Sequence, residues 1–327
     1  MIQPSWAWAR AAAAAATLAV VAWRIGAGPF RDGVRAVDGT TLAAAAGIGV
    51  LTTVCCAWRW TIVARGLGVR LSLPAAVAAY YRSLFLNLTL PGGVVGDIHR
   101  GVSHGRDVDD VGRGLRAVAW ERAAGQVVQV VITVAVLLAL PSPVRSSMPL
   151  VAFALAATAI GALLVGRVRP RGGGSRWARL RIAMAGDVRD GLLTRRALPA
   201  IALTSAVVVL GHAVTFLIAA RTAGTTASAS RMLPLALLAM MAMVLPGVAG
   251  WGPREGATAW VFGAAGLGAS QGVATAVVYG VMVLVASLPG AVVLVAGWLR
   301  RPRPRVRREP LPARIRVVGR SEGAADA

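Results

Sequence analysis

Uncharged apolar runs of membrane length recur along the chain: Thr41–Trp58, Ala123–Leu140, Met148–Gly166, Ala197–Ala220 with His212 inside it, and Gln271–Leu299. A hydrocarbon core of about 30 Å takes roughly 17–25 helical residues to cross, so each run predicts a spanning helix. A first run, Trp6–Trp23, carries Arg10 near its start and tryptophans at both ends. It also reads as a secretory signal, but no clear small-residue cleavage site leads into a soluble domain and further spans follow. A retained helix with interfacial tryptophans is the expectation.

Two other apolar segments stop early. Leu73–Gly96 opens with Leu73-Pro74 and ends in Leu90-Pro91-Gly92-Gly93, and Asp97, His99 and Arg100 follow at once. Arg231–Gly268 repeats the figure with Leu233-Pro234, then Leu245-Pro246-Gly247, then Gly250-Trp251-Gly252-Pro253 running into Arg254 and Glu255. Proline ends or kinks a helix and glycine lets the chain turn, so each segment is expected to be a re-entrant or broken hairpin. Pro91, Gly92 and Gly93 in one half, and Pro246, Gly247, Gly250 and Gly252 in the other, are the turning and gating candidates. The expected fold is an all-α polytopic membrane protein of about six to eight transmembrane segments. Within 1–300, an inverted repeat is expected over about 41–166 and 197–299, the arrangement of transporters with a site at the membrane midplane.

Composition supports that class: 57% of the 327 residues are hydrophobic, 15% are charged and the mean hydropathy is +0.67. Every one of the 35 basic residues is Arg, and the net charge is +22. In a soluble protein that charge would suggest nucleic acid, but its placement argues against it. Nine arginines fall in Arg167–Arg196, nine in Arg300–Arg320, and seven in Arg59–Arg70 and Arg100–Arg116 taken together as loops. The positive-inside rule puts those four regions and the C-terminus in the cytoplasm of a multi-pass cell-membrane protein. Residues 301–327, rich in Pro and Arg, read as a disordered tail. Cys55 and Cys56 are adjacent within a span and read as small fillers.

Ionisable groups at membrane depth are costly and need partners or water. Arg82 lies mid-way along the first broken segment, and Glu121 and Arg122 open a later span. Arg122, Gln126, Gln129 and Thr133 follow at i, i+4, i+7 and i+11, one polar stripe on one helix face. Thr204, His212 and Thr215 share a face of another span. Singly, these residues fit structural hydrogen bonds and a buried ion pair such as Arg82 with Glu121. Together they suggest a wet cavity in which Arg clamps phosphate. Arg254 and Glu255 sit where a half-helix N-terminus would add backbone donors toward an anion. The candidate substrate-binding set is therefore Arg82, Asn87, Asp97, Arg100, Glu121, Arg122, Gln126, Arg254 and Glu255. His99 and His212 read as structural histidines.

Three stretches carry a resemblance: "FLNLTLPGGVVGDIHRG" at Phe85–Gly101, "ERAAG" at Glu121–Gly125 and "LPGVAGWGPREGA" at Leu245–Ala257. In order and spacing the chain resembles the transmembrane, flippase-like domain of lysylphosphatidylglycerol synthases, over roughly Ala7 to Arg300. It departs at Gly247-Val248-Ala249, where members often carry Ser or a second Gly, and at Pro253, commonly aliphatic. The synthases' soluble aminoacyl-transferring domain has no counterpart in the 28 residues after Leu299, so lysyl-lipid synthesis is not expected. The resemblance implies movement of a lipid with a polar headgroup between leaflets, the partner being a phospholipid or a polyprenyl-phosphate-linked sugar.

A non-transporting scaffold for a glycosyltransferase or lipid-modifying enzyme is the second expectation. A membrane enzyme using Glu121 or Glu255 as base is the third, and it lacks a nucleophile or metal set. No cofactor is expected, and no nucleotide-binding motif points to ATP.

Overall fold

The computed structural model of the chain describes residues 28–90, 93–167, 176–243 and 252–299, with positions 19, 23 and 26. The Trp6–Trp23 run and the tail after residue 299 lie outside the described residues, apart from those isolated positions. Within the described residues the secondary structure is helical, without strands. A short helix α1 (Gly28–Arg35) precedes α2 (Gly39–Gly66), α3 (Leu73–Thr89), α4 (Val95–Asp107) and α5 (Val111–Ala139). After a 3₁₀ turn come α6 (Met148–Arg167) and α7 (Arg176–Asp187), which runs into a π turn. The second half is α8 (Ala197–Thr222), α9 (Ala229–Ala242), α10 (Pro253–Ala264), α11 (Ala269–Ser287) and α12 (Pro289–Leu299).

Among the described residues four stretches are long and apolar enough to cross a membrane: α2, α5, α8 and the continuous run of α11 and α12. Between the long helices of each half lie two shorter ones, α3 with α4 and α9 with α10. Local chemistry sets the starts. The Asp38 carboxylate accepts from the Thr41 N–H at 2.7 Å and starts α2, and Asp110 accepts from the Arg113 N–H at 2.8 Å and starts α5.

Packing follows the same figure in both halves. The first helices cross antiparallel: Thr41 on α2 meets Thr222 on α8 at 3.2 Å, and Arg59 meets Ser205 at 2.9 Å. The chain thus runs in opposite directions through the opening helices of the two halves. As α8 packs on α5, α2 packs on α11; as α9 touches α5, α3 touches α11. The first half's core gathers Ala57, Trp60, Val63, Tyr80 and Ala117, and the second's gathers Phe216, Leu235, Ala236, Phe262 and Tyr279. Large apolar side chains such as Val127, Val131, Leu203, Leu210 and Val292 face outward, as a lipid-facing surface requires.

The structure corrects three boundaries. The second span does not end at Trp58; α2 continues to Gly66, ~42 Å at 1.5 Å per residue. Its buried last turns keep Arg59 inside the helix and out of a loop. Arg100–Arg116 is likewise no loop, because α4 runs to Asp107 and α5 resumes at Val111. Charge alone misread both, since a guanidinium with a buried acid beside it needs no water. Leu233-Pro234 does not start α9, which begins at Ala229 with Pro234 inside it. Pro234 is the sixth residue of the helix, so its missing N–H leaves the Ser230 carbonyl without its i+4 donor.

Helix α4 lies backbone to backbone on α5. A Cβ on Gly114 would stand 2.6 Å from the Gly105 Cα, and one on Gly101 would stand 3.2 Å from the Leu115 Cα. Gly114→Val is expected to cost about 1–3 kcal/mol, the usual range for overpacking. Thermal unfolding in detergent measures it, and an unchanged midpoint would mean the two helices part freely.

Candidate functional site

A cavity of about 270 Å³ lies between the halves, walled by α2, α3, α5, α8, α9 and α11. It follows α2 from Ala45 to Arg59, a length of ~21 Å at 1.5 Å per residue. Its polar wall is built from helix periodicity. Thr52, Cys56 and Arg59 on α2 repeat the i, i+4, i+7 spacing of Arg122, Gln126 and Gln129 on α5, and all six line the cavity. Ser205, His212 and Thr215 on α8 and Tyr279 on α11 add to the polar lining, while Leu84, Leu88, Met240 and Met282 supply apolar wall. Both charged lining residues are arginines, and both sit at the end of the cavity reached by Arg59.

Behind that end is a connected ion network. Glu121, fully buried, accepts from Arg59 Nε at 3.0 Å and NH2 at 2.5 Å through Oε1, and from Arg100 NH2 at 3.0 Å through Oε2. Arg59 also donates to the Ser205 hydroxyl at 2.9 Å, which ties the two halves together. Asp97 accepts from Ser83, Asn87 and Arg100 at 3.0–3.1 Å. Arg122 NH2 reaches the same carboxylate at 2.7 Å, with 39% of the Arg122 side chain still exposed. The Arg100 guanidinium lies between the rings of Trp60 and Tyr80, 4.4 and 4.3 Å from their centroids, where cation–π attraction offsets part of its burial.

Glycine makes the pairing possible. A Cβ on Gly125 would stand 2.8 Å from Arg59 NH2, so the guanidinium occupies the space a side chain would take. Gly280 on α11 does the same for Arg254, whose guanidinium a Cβ there would strike. The offset from Gly125 to Gly280 is the offset from Pro91 to Pro246, so the notch recurs with the repeat. In the second half Arg254 donates to Glu255 at 2.9 and 2.5 Å, and Glu255 accepts the Gly252 N–H at 2.6 Å. Gly252 has φ +105°, a conformation that glycine adopts without strain.

The description "Lysylphosphatidylglycerol synthase TM region" matches residues 7–290. The chain belongs to this family. No curated protein and no solved structure gives a match. Membership makes it a membrane protein of lipid-related function.

Within this family member the candidate residues separate into layers. Arg122 and Gln126 line the cavity. Asp97, Arg100 and Glu121 stand behind it as the network that positions Arg122 and Arg59. Asn87 clamps the first hairpin, accepting the Gly96 N–H at 2.7 Å and donating to Asp97 at 3.0 Å. The expected Arg82–Glu121 pair is not formed; Arg59 and Arg100 take that carboxylate. Arg82 lies off the cavity wall, on a different face of α3 from the lining residues Tyr80, Leu84 and Leu88. Arg254 and Glu255 form a buried pair beside Tyr279. Pro91, Gly92, Pro246, Gly247 and Gly250 lie outside the described residues, while Gly93 turns with φ +64°.

Sequence reasoning missed Arg59, Tyr80, Ser205 and Tyr279. The spacing of Thr52, Cys56 and Arg59 was the signal for the first. Nothing in sequence points to the others. His212 accords with a structural histidine, its Nδ1 lying 3.0 Å from the Tyr279 hydroxyl. Among the described residues no group of three or more His, Cys, Asp or Glu side chains could hold a metal.

Proposed function

We propose that this protein carries a lipid with a phosphate-bearing headgroup across the membrane, the headgroup passing through the polar cavity while the acyl chains stay in the bilayer. The observation that carries this reading is Arg122, held through its guanidinium Nη2 by Asp97 and lining the cavity with 39% of its side chain exposed. A cavity of about 270 Å³ falls just below the usual ~300–1,000 Å³ range of ligand pockets, which suits a headgroup and not a whole lipid. Arg offers phosphate two parallel N–H donors, and in a site screened from water such bonds strengthen. Arginines crowd the end of α2 that carries Arg59, and on this reading that end faces the cytoplasm of a cell membrane. The protein does no bond chemistry of its own here and acts by differential solvation of the headgroup.

The test is reconstitution into vesicles with headgroup-labelled phospholipids and a polyprenyl-phosphate sugar, followed by quenching from outside. Arg122→Ala is expected to slow exchange roughly tenfold or more, the value of one charge-assisted hydrogen bond. Equal rates for variant and wild type would remove Arg122 from the path. If correctly inserted wild-type protein moved none of these lipids, translocation would fall. A scaffold for a glycosyltransferase or lipid-modifying enzyme would then be the better reading.

A further inference from the structure

The ion network at the arginine end of the cavity is unbalanced. Among the described residues Arg59, Arg100 and Arg122 face Asp97 and Glu121, three guanidiniums against two carboxylates, in one connected set. Arg254 and Glu255 compensate each other. The turns at 91–92 and 244–251 contain no charged residue. A positive surplus at membrane depth calls for a counter-anion.

The carboxylates are also fully engaged. Both oxygens of Glu121 and both of Asp97 accept bonds from arginine or amide donors, and neither residue lines the cavity. An ammonium entering the cavity would meet two guanidiniums and no free acid. By contrast Arg122 lines the cavity with 39% of its side chain exposed while its Nη2 is tied to Asp97.

We infer that the cargo headgroup carries a net negative charge, its phosphate seated against Arg122 with Arg59 behind, and that cationic aminoacylated headgroups are rejected. This deepens the translocation reading and rests on it for the movement, though not for the binding. It runs against the lysylated, cationic product that the family's name would suggest as cargo.

Two readouts separate the two claims. In vesicles, acyl-labelled phosphatidylglycerol, phosphatidylcholine and lysyl-phosphatidylglycerol are compared at equal density for wild type, Arg122→Gln and Arg122→Lys. In detergent, the unfolding midpoint is followed with short-chain forms of the same lipids and with inorganic phosphate. Wild type should move phosphatidylglycerol roughly tenfold or more faster than the other two, the discrimination that one charge-assisted bond supports. Arg122→Gln should lose that preference and Arg122→Lys retain most of it. Only phosphatidylglycerol should raise the midpoint. If no lipid moves yet phosphatidylglycerol alone stabilises, the anionic site stands and translocation falls. Equal rates and equal stabilisation across the three headgroups would overturn the inference, as would absence of both effects. Inorganic phosphate matching phosphatidylglycerol at the same concentration would make this a free-anion site and overturn the lipid assignment.

Discussion

Glu121→Ala is expected to destabilise the protein by about 3–5 kcal/mol, the range for removing one partner from a buried ion pair. Glu121 is fully buried, and its carboxylate holds two guanidiniums, Arg59 and Arg100, which are themselves 4% and 1% exposed. A guanidinium does not deprotonate in a protein, so neither arginine can escape the loss by becoming neutral. Arg100 retains Asp97, whereas Arg59 retains only the Ser205 hydroxyl and a long contact to the Cys56 sulfur at 3.7 Å. Strain should therefore fall first on the junction of α2 with α5 and α8. Glu121→Gln, which keeps an acceptor oxygen, should cost less, and Arg59→Met combined with Glu121→Leu should recover part of the loss. Thermal unfolding in detergent ranks the three. A wild-type midpoint in Glu121→Ala would show that the network does not anchor the fold.

Glu255→Ala is expected to cost a similar ~3–5 kcal/mol, through two losses at once. It removes the acid that holds Arg254 in the Gly280 notch, and it frees the Gly252 N–H at the start of α10. Arg254→Ala should be milder, because a carboxylate left behind can take up a proton while a guanidinium cannot shed one. The double variant Arg254→Ala, Glu255→Ala should be more stable than Glu255→Ala alone, and the cycle of the four proteins gives the coupling. If the two single losses simply add in the double variant, the pair carries no interaction of its own. The buried setting of this pair, 2% and 0% exposed, also assigns the motif a structural duty. Gly252 and Glu255 hold the start of α10 in place beside Tyr279.

Much of this architecture is written in local pattern. Apolar run length fixes the long helices, because the backbone must satisfy its own hydrogen bonds in lipid. Leu73-Pro74 marks where α3 starts and Leu90 where it ends, and the recurrence of the Leu-Pro and Leu-Pro-Gly figure announces two like halves. The stripe Arg122, Gln126, Gln129 names one cavity wall from spacing alone, since residues three and four apart share a helix face.

Pairing across helices is another matter. Glu121 and Arg122 are neighbours in sequence yet point to different places, one into the core network and one into the cavity. Arg59 looks like the first residue of a cytoplasmic loop until α5 lays Glu121 and the bare backbone of Gly125 against it. A charge is tolerated or expelled according to what packs beside it, and that neighbour comes from a helix distant in sequence. Sequence by itself therefore determined the helices, their breaks and the class of protein. Only the tertiary structure decided which charges are paired and which of them line the cavity.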